Sequence, residues 1–115
     1  MGDINVLGID RVISLKGFIG MRRRSILVVG SGESEVSRHI KEILLPRIKE
    51  SIESSVSFFF VSIDGASSSD IEEMNKQFEI DGVYPVILIF KDGVRTMVII
   101  PDENIDLEKI IENVK

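Results

Sequence analysis

The segment Pro85-Val86-Ile87-Leu88-Ile89-Phe90-Lys91-Asp92-Gly93-Val94 constrains this chain more than any other. A strand alternates its side chains between two faces, so a run that is apolar at every position must be covered on both. Proline is tolerated at the start of such a run, where its missing N–H is harmless. Asp-Gly readily supplies the positive φ that a two-residue hairpin turn needs. Val83 to Phe90 is therefore predicted as an internal strand. Val94 to Ile100 is its antiparallel return, and Pro101 stops it.

Two more apolar runs fit the same sheet. Ser25 to Val29 is closed by Gly30-Ser31-Gly32, and Val56 to Ile63 carries three phenylalanines at its centre. Between them, Val36, Ile40, Ile43, Leu44, Ile48 and Ile52 recur at helical spacing, which predicts a helix from about Ser34 to Ser54. Pro46 lies inside it and predicts a kink or break. After an Asp64-Gly65 turn, Ser69 and Glu72 have capping-box spacing, and the helix they start buries Ile71, Met74 and Phe78. Asn104 is placed to cap a last helix on Leu107, Ile110, Ile111 and Val114. Residues 1 to 24 read as a strand at Val6-Leu7 and then a helix. The order β-α-β-α-β-α-β-β-α requires a right-handed crossover between parallel strands. It predicts a single domain, a three-layer α/β/α sandwich around a mixed sheet of four to five strands.

Composition narrows the chemistry. The 115 residues suffice for one domain with a real core. There is no cysteine, which removes disulfides, zinc–thiolate sites and thiol catalysis together. His39 is the only histidine, and nothing in the sequence places it as the base for a particular serine. No metal or other cofactor is expected. A net charge of −5 argues against binding a nucleic-acid backbone. Arg22-Arg23-Arg24 reads as a solvated loop at a strand entry or as a contact for a phosphate or an acidic partner. No apolar run reaches membrane-span length and no secretory signal is visible, so a cytoplasmic location is expected, with no membrane partner. Few Asn and Gln beside many Ile, Glu, Lys and Arg lean toward a thermophilic source.

The element order, together with Val83-Tyr84-Pro85-Val86-Ile87-Leu88-Ile89-Phe90-Lys91-Asp92-Gly93, resembles the thioredoxin family over residues 25 to 115. In that family a cis-proline precedes the hairpin strand. The resemblance makes Pro85 that proline, with the backbone of Tyr84 exposed for an extended peptide; read from the residues alone, Pro85 need only begin a strand. The family's Cys-x-x-Cys falls on Ser34 and Ser37. These serines are either replaced cysteines, natural or engineered, or simply a helix cap. Other departures accompany them. The tryptophan before the first cysteine is Glu33, the buried acid of the central strand is Val28, the helix proline comes four residues late, and the usual glycine after the last strand is Pro101. A serine hydroxyl is far too weakly acidic to replace a thiolate.

Other motifs carry less. Gly30-x-Gly32 lacks the third glycine and second half of a dinucleotide fold. Asp102, Glu103, Asp106 and Glu108 have no fixed cation-ligand spacing. Met21, Met74 and Met97 need only packing.

The resemblance therefore implies a non-catalytic module that binds a protein or peptide. The expected contact residues are Glu33, Ser34, Glu35, Val36, Val83, Tyr84, Pro85 and Pro101, with exposed apolar groups at Val36, Val83 and Tyr84. The alternative is a thiol-disulfide oxidoreductase homologue with both cysteines replaced by serine. A homodimer through this face or a sheet edge, and a subunit of a larger assembly docked through the N-terminal segment, complete the readings.

Overall fold

The computed structural model describes residues 5–8, 24–31, 34–51, 56–82, 84–101 and 107–114. The three apolar runs become neighbouring strands: β2 (Arg24–Gly30), β3 (Val56–Ser62) and β4 (Val86–Lys91). With β1 (Asn5–Gly8) and β5 (Val94–Ile99) they form a five-stranded sheet in the order β1-β3-β2-β4-β5. β1 and β2 run parallel to β3, while β4 runs antiparallel to β2 and β5 antiparallel to β4.

Strand alternation divides the core in two. Leu27, Val29, Phe59, Val61, Val86, Leu88 and Phe90 face one side and meet Met74 and Phe78 of α3 (Ser68–Phe78). There the Phe78 ring meets Phe90 edge-on, with centroids 6.2 Å apart. Ile26, Val28, Phe58, Phe60, Ile87 and Ile89 face the other side. They pack against Ile40, Leu44, Leu45 and Ile48 of the helix that follows β2, and against Ile110 of α4 (Leu107–Val114). Both faces are thus covered, which is why these runs carry no polar alternation. Each fully buried large side chain contributes roughly 1.5–3 kcal/mol of transfer free energy.

The helix after β2 runs through Pro46 without a break. It comprises α1 (Glu35–His39), a π-helical turn over Ile40–Leu44, and α2 (Leu45–Ser51). In the π turn the Leu45 N–H donates to the Ile40 carbonyl, one residue further back than in an α-helix. Pro46 has no N–H to offer the preceding turn, so the α ladder is interrupted there in any case. The wider turn takes up that discontinuity where a kink was expected. The predicted extension to Ser54 lies outside the described residues, as do the N-terminal helix and the Asn104 cap.

The cap of α3 also differs from expectation. Ser67, not Ser69, is the N-cap, its hydroxyl accepting from the Asp70 N–H at 3.2 Å. Three consecutive serines offer three registers, and the turn ending at Ala66 selects the first; the Ala66 N–H donates to the Ile63 carbonyl.

The Asp92-Gly93 turn has positive φ at both residues, 53° and 82°. A bulge opposite Ile89 and Phe90 then turns Arg95 to the α3 side. Its guanidinium donates to the Phe78 and Glu79 carbonyls, both at 2.9 Å, and so caps the end of α3. Among the described residues no helix is long and apolar enough to cross a membrane.

Candidate functional site

β2 and β3 end at the same edge of the sheet, where the antiparallel β4 begins and β5 finishes. The helix after β2 starts there. Ser34 is its N-cap, in extended conformation, and its hydroxyl accepts from the Ser37 N–H at 3.3 Å. Ser37, one turn in, is fully buried. Its hydroxyl accepts from the Ser31 N–H, also at 3.3 Å. The two serines thus satisfy main-chain donors at the strand–helix junction, with Ser34 half-buried above and Ser37 beneath.

Gly30 and Pro85 close the junction from the other side. A Cβ built on Gly30 would lie 2.5 Å from the Ser37 Oγ and 3.3 Å from the Pro85 Cβ. Only a glycine lets β2, the helix start and the Pro85 ring approach this closely. The Tyr84–Pro85 peptide is cis. The β2–β4 register ends at Val29 opposite Val86, so the main chain of Tyr84 lies beyond the ladder. The Tyr84 hydroxyl donates to the Asn75 Oδ1 on α3, which turns the ring inward against the core. Burial raises the Tyr84 pKa above its ordinary value.

Of the residues expected here, Ser34, Glu35, Val36, Tyr84 and Pro85 are brought to this edge by the helix start and the entry to β4. Pro101 is half-buried just after β5, at the same end of the sheet. Glu33 and Val83 lie outside the described residues. Val36 and Tyr84 do not stand out as exposed apolar groups. Each is half-buried and packed on a core, Val36 against the helix-side cluster and Tyr84 against the α3-side one. The reason is geometric: a first-turn side chain and a residue leading into a central strand both lie over the rim of the core. His39 is exposed at the end of α1, five residues past the cap.

Two residues belong to the site that sequence reasoning did not single out. Asp64 accepts from the Ser31 hydroxyl at 2.6 Å and from the Ser62 hydroxyl at 3.0 Å, tying together the ends of β2 and β3. The available signal was an aspartate two residues past a serine at a strand end, which permits an Asx-type contact. Asn75 had no such signal, because a polar residue inside an exposed helix is unremarked until its partner is known.

The arrangement suits holding main chain in place. Among the described residues the Ser34 and Ser37 hydroxyls meet main-chain N–H groups rather than a carboxylate or imidazole, and no group of His, Asp and Glu is arranged to hold a metal ion.

No family model matches the chain, and no curated protein matches it. Solved structures do. A thioredoxin of Plasmodium falciparum superposes with TM-score 0.73 at 13% identity, covering 97% of this chain and 100% of that one. Thioredoxin O2 of Arabidopsis thaliana in the oxidised state gives 0.72 at 16%, covering 96% and 90%. A chain from a structure of thiol resolution in yeast mitochondrial 1-Cys peroxiredoxin gives 0.72 at 14%, covering 96% and 92%. At these identities the likeness is one of fold. The chain has a thioredoxin-like α/β fold, a mixed sheet flanked by helices, here without the Cys-x-x-Cys motif.

Proposed function

We propose that this chain is a non-catalytic, cytoplasmic interaction module that binds an extended protein or peptide segment at the edge formed by Ser34–Ser37, Tyr84 and Pro85. One observation carries the reading. The main chain of Tyr84 lies beyond the β4 ladder, beside a helix start held rigid by Ser37, Gly30 and Pro85. Such a rim offers main-chain groups that no neighbouring strand pairs, next to a braced helix start, which is what strand-wise peptide recognition uses. Without a thiolate the same rim can hold a segment but cannot exchange a disulfide with it.

The test is amide mapping. Random linear peptides are selected by display on the wild-type protein, and the enriched peptides are titrated into 15N-labelled protein. The expected shifts cluster on Ser34, Glu35, Val36, Ser37 and Tyr84. Enriched peptides that shift only amides elsewhere, such as those of β5, reject the reading.

A second reading has an observation of its own. Ser34 and Ser37 stand three residues apart on one helix start, the first half-buried and the second buried, with the N–H of the second on the oxygen of the first. This is a disposition that two cysteines could occupy. The Ser34→Cys/Ser37→Cys variant separates the readings. Catalysed turnover of a disulfide substrate favours an oxidoreductase homologue, while an inert pair leaves the interaction module.

A further inference from the structure

We infer that two copies of this chain pair along β5, antiparallel about a twofold axis, and join their sheets into one. β5 ends the sheet order, so one flank of it has no neighbouring strand among the described residues. The phase of its hydrogen bonding follows from the hairpin. A two-residue turn makes Lys91 and Val94 a hydrogen-bonded pair, and steps of two along β4 make Ile89–Met97 and Ile87–Ile99 the next ones. The Thr96 hydroxyl on the Ile89 carbonyl, at 3.3 Å, fits that phase. The main-chain N–H and C=O of Val98 therefore point off the sheet, and Ile100 continues the alternation.

Free edges are ordinarily guarded by charges, prolines or bulges. Here the polar side chains of β5 turn back into their own chain. Arg95 caps α3 and Thr96 bonds to β4. Residues 96–100 carry no charge, and Pro101 comes only after them. The bulge lies at the hairpin end, and the register from Met97 to Ile99 is regular. Met97 and Ile99 pack on the core, whereas Val98 shares the other face with Leu88 and is 45% exposed. Among the described residues the exposed large apolar side chains are Ile43, Val94, Val98 and Ile100, so three of the four lie along this one edge.

The edge fits a second copy of itself. A twofold axis sets Val98 and Ile100 of one chain against the same residues of the other, and each outward donor meets an outward acceptor. The charges favour the antiparallel sense. At the hairpin end Lys91 and Arg95 are balanced by Asp92 and by Glu79, which pairs with Arg95 at 3.4 Å. At the other end the sequence runs past Pro101 into Asp102 and Glu103. Antiparallel pairing brings the Pro101 end of one copy to the hairpin of its partner, so the acids of the two copies stay apart. That separation matters between chains that each carry a net charge of −5. The same arrangement puts the two Tyr84 rims at opposite ends of the joined sheet and leaves both open. The inference stands apart from what that rim binds.

The experiment is sedimentation of the full chain over a concentration series, with amide hydrogen exchange at the two extremes. So short an edge predicts a weak dimer, with Kd of roughly 10–100 μM. Exchange at Val98 and Ile100 is expected to slow as concentration rises, while Met97 and Ile99, already bonded to β4, change little. Val98→Lys sets two ammonium groups near the axis and should raise Kd at least tenfold. Ile100→Lys should do the same from a site past the strand that is 58% exposed, which keeps the test intact if Val98→Lys does not fold. Ile43→Lys, on the helix after β2, should leave Kd unchanged. A wild type that is monomeric to roughly 1 mM overturns the inference. So does a dimer that the β5 lysines leave intact, one that Ile43→Lys weakens equally, or one whose slowed amides are those of Ser34–Ser37 and Tyr84.

Discussion

Replacing Gly30 with alanine tests whether the junction between β2, the helix start and Pro85 is as tight as described. Gly30 has no positive φ, so alanine meets no backbone penalty and gains about 0.4–1 kcal/mol from a less free unfolded chain. Against this stands the new methyl. It would lie 2.5 Å from the Ser37 Oγ, roughly 0.9 Å inside the 3.4 Å at which ordinary contact begins, and 3.1 Å from the Ser37 Cβ. The Ser37 hydroxyl cannot simply swing away, because it accepts the Ser31 N–H and is fully buried. Losing that bond costs about 0.5–1.5 kcal/mol, and overpacking a closed site costs typically 1–3 kcal/mol. The net expectation is destabilisation of about 1–3 kcal/mol. With a urea m value of roughly 1–3 kcal/mol/M, the unfolding midpoint drops by about 1 M with the slope unchanged. Gly30→Ala/Ser37→Ala removes the nearest atom, so it should recover about 1 kcal/mol relative to the sum of the single changes. A Gly30→Ala protein as stable as the wild type would refute the close packing, and with it the rigidity ascribed to the rim.

Three further outcomes follow from the geometry. Ser67→Ala should cost about 1 kcal/mol as the loss of an N-cap, whereas Ser69→Ala should stay within about 0.5 kcal/mol; chemical denaturation of the two variants decides which serine caps α3. Arg95→Ala removes both hydrogen bonds to the last carbonyls of α3 and should destabilise by roughly 1–3 kcal/mol, while Glu79→Gln, whose carboxylate is 78% exposed, should change stability by less than about 1 kcal/mol. Tyr84 is the sole tyrosine and there is no tryptophan, so tyrosinate absorbance reports it alone. Its folded pKa is raised by burial, so the folded state holds the phenolic proton more tightly than the unfolded chain. Stability from this source is therefore full below pH 10 and is lost as pH rises through the folded pKa. The titration midpoint should lie above 10 in native protein and return toward 10 in denaturant, and Tyr84→Phe should abolish that part of the alkaline stability loss.

The strands were legible because burial on both faces leaves an unmistakable signature. Ile26–Val29, Phe58–Val61 and Val86–Phe90 could not serve as amphipathic helices or edge strands. The Asp92-Gly93 turn was equally plain, since few other residue pairs take positive φ twice. What escaped was set by contacts distant in sequence. The π turn before Pro46 reflects how Ile40, Leu44, Leu45 and Ile48 must all reach one sheet face while the proline interrupts the ladder. The α3 cap depended on the turn at Ala66 rather than on capping-box spacing. At the site, Ser34 and Ser37 were visible through their spacing and through resemblance. The link from Asp64 to Ser31 spans 33 residues, and the place of Gly30 against Ser37 needs the folded junction to be seen. Val36 and Tyr84 were expected to be more exposed than they are, because hydropathy alone cannot tell a rim residue packed on the core from one offered to a partner.

The central claim is that this edge recognises the main chain of an extended segment. An N-methyl scan of one display-selected peptide, read by calorimetric titration, tests it most directly. N-methylation removes one backbone donor at a time while leaving the side chains in place. The account predicts that binding is lost on methylating the residue that lies beside Tyr84 and survives at its neighbours, whose donors face away. Equal binding by every methylated peptide would contradict strand-wise recognition here.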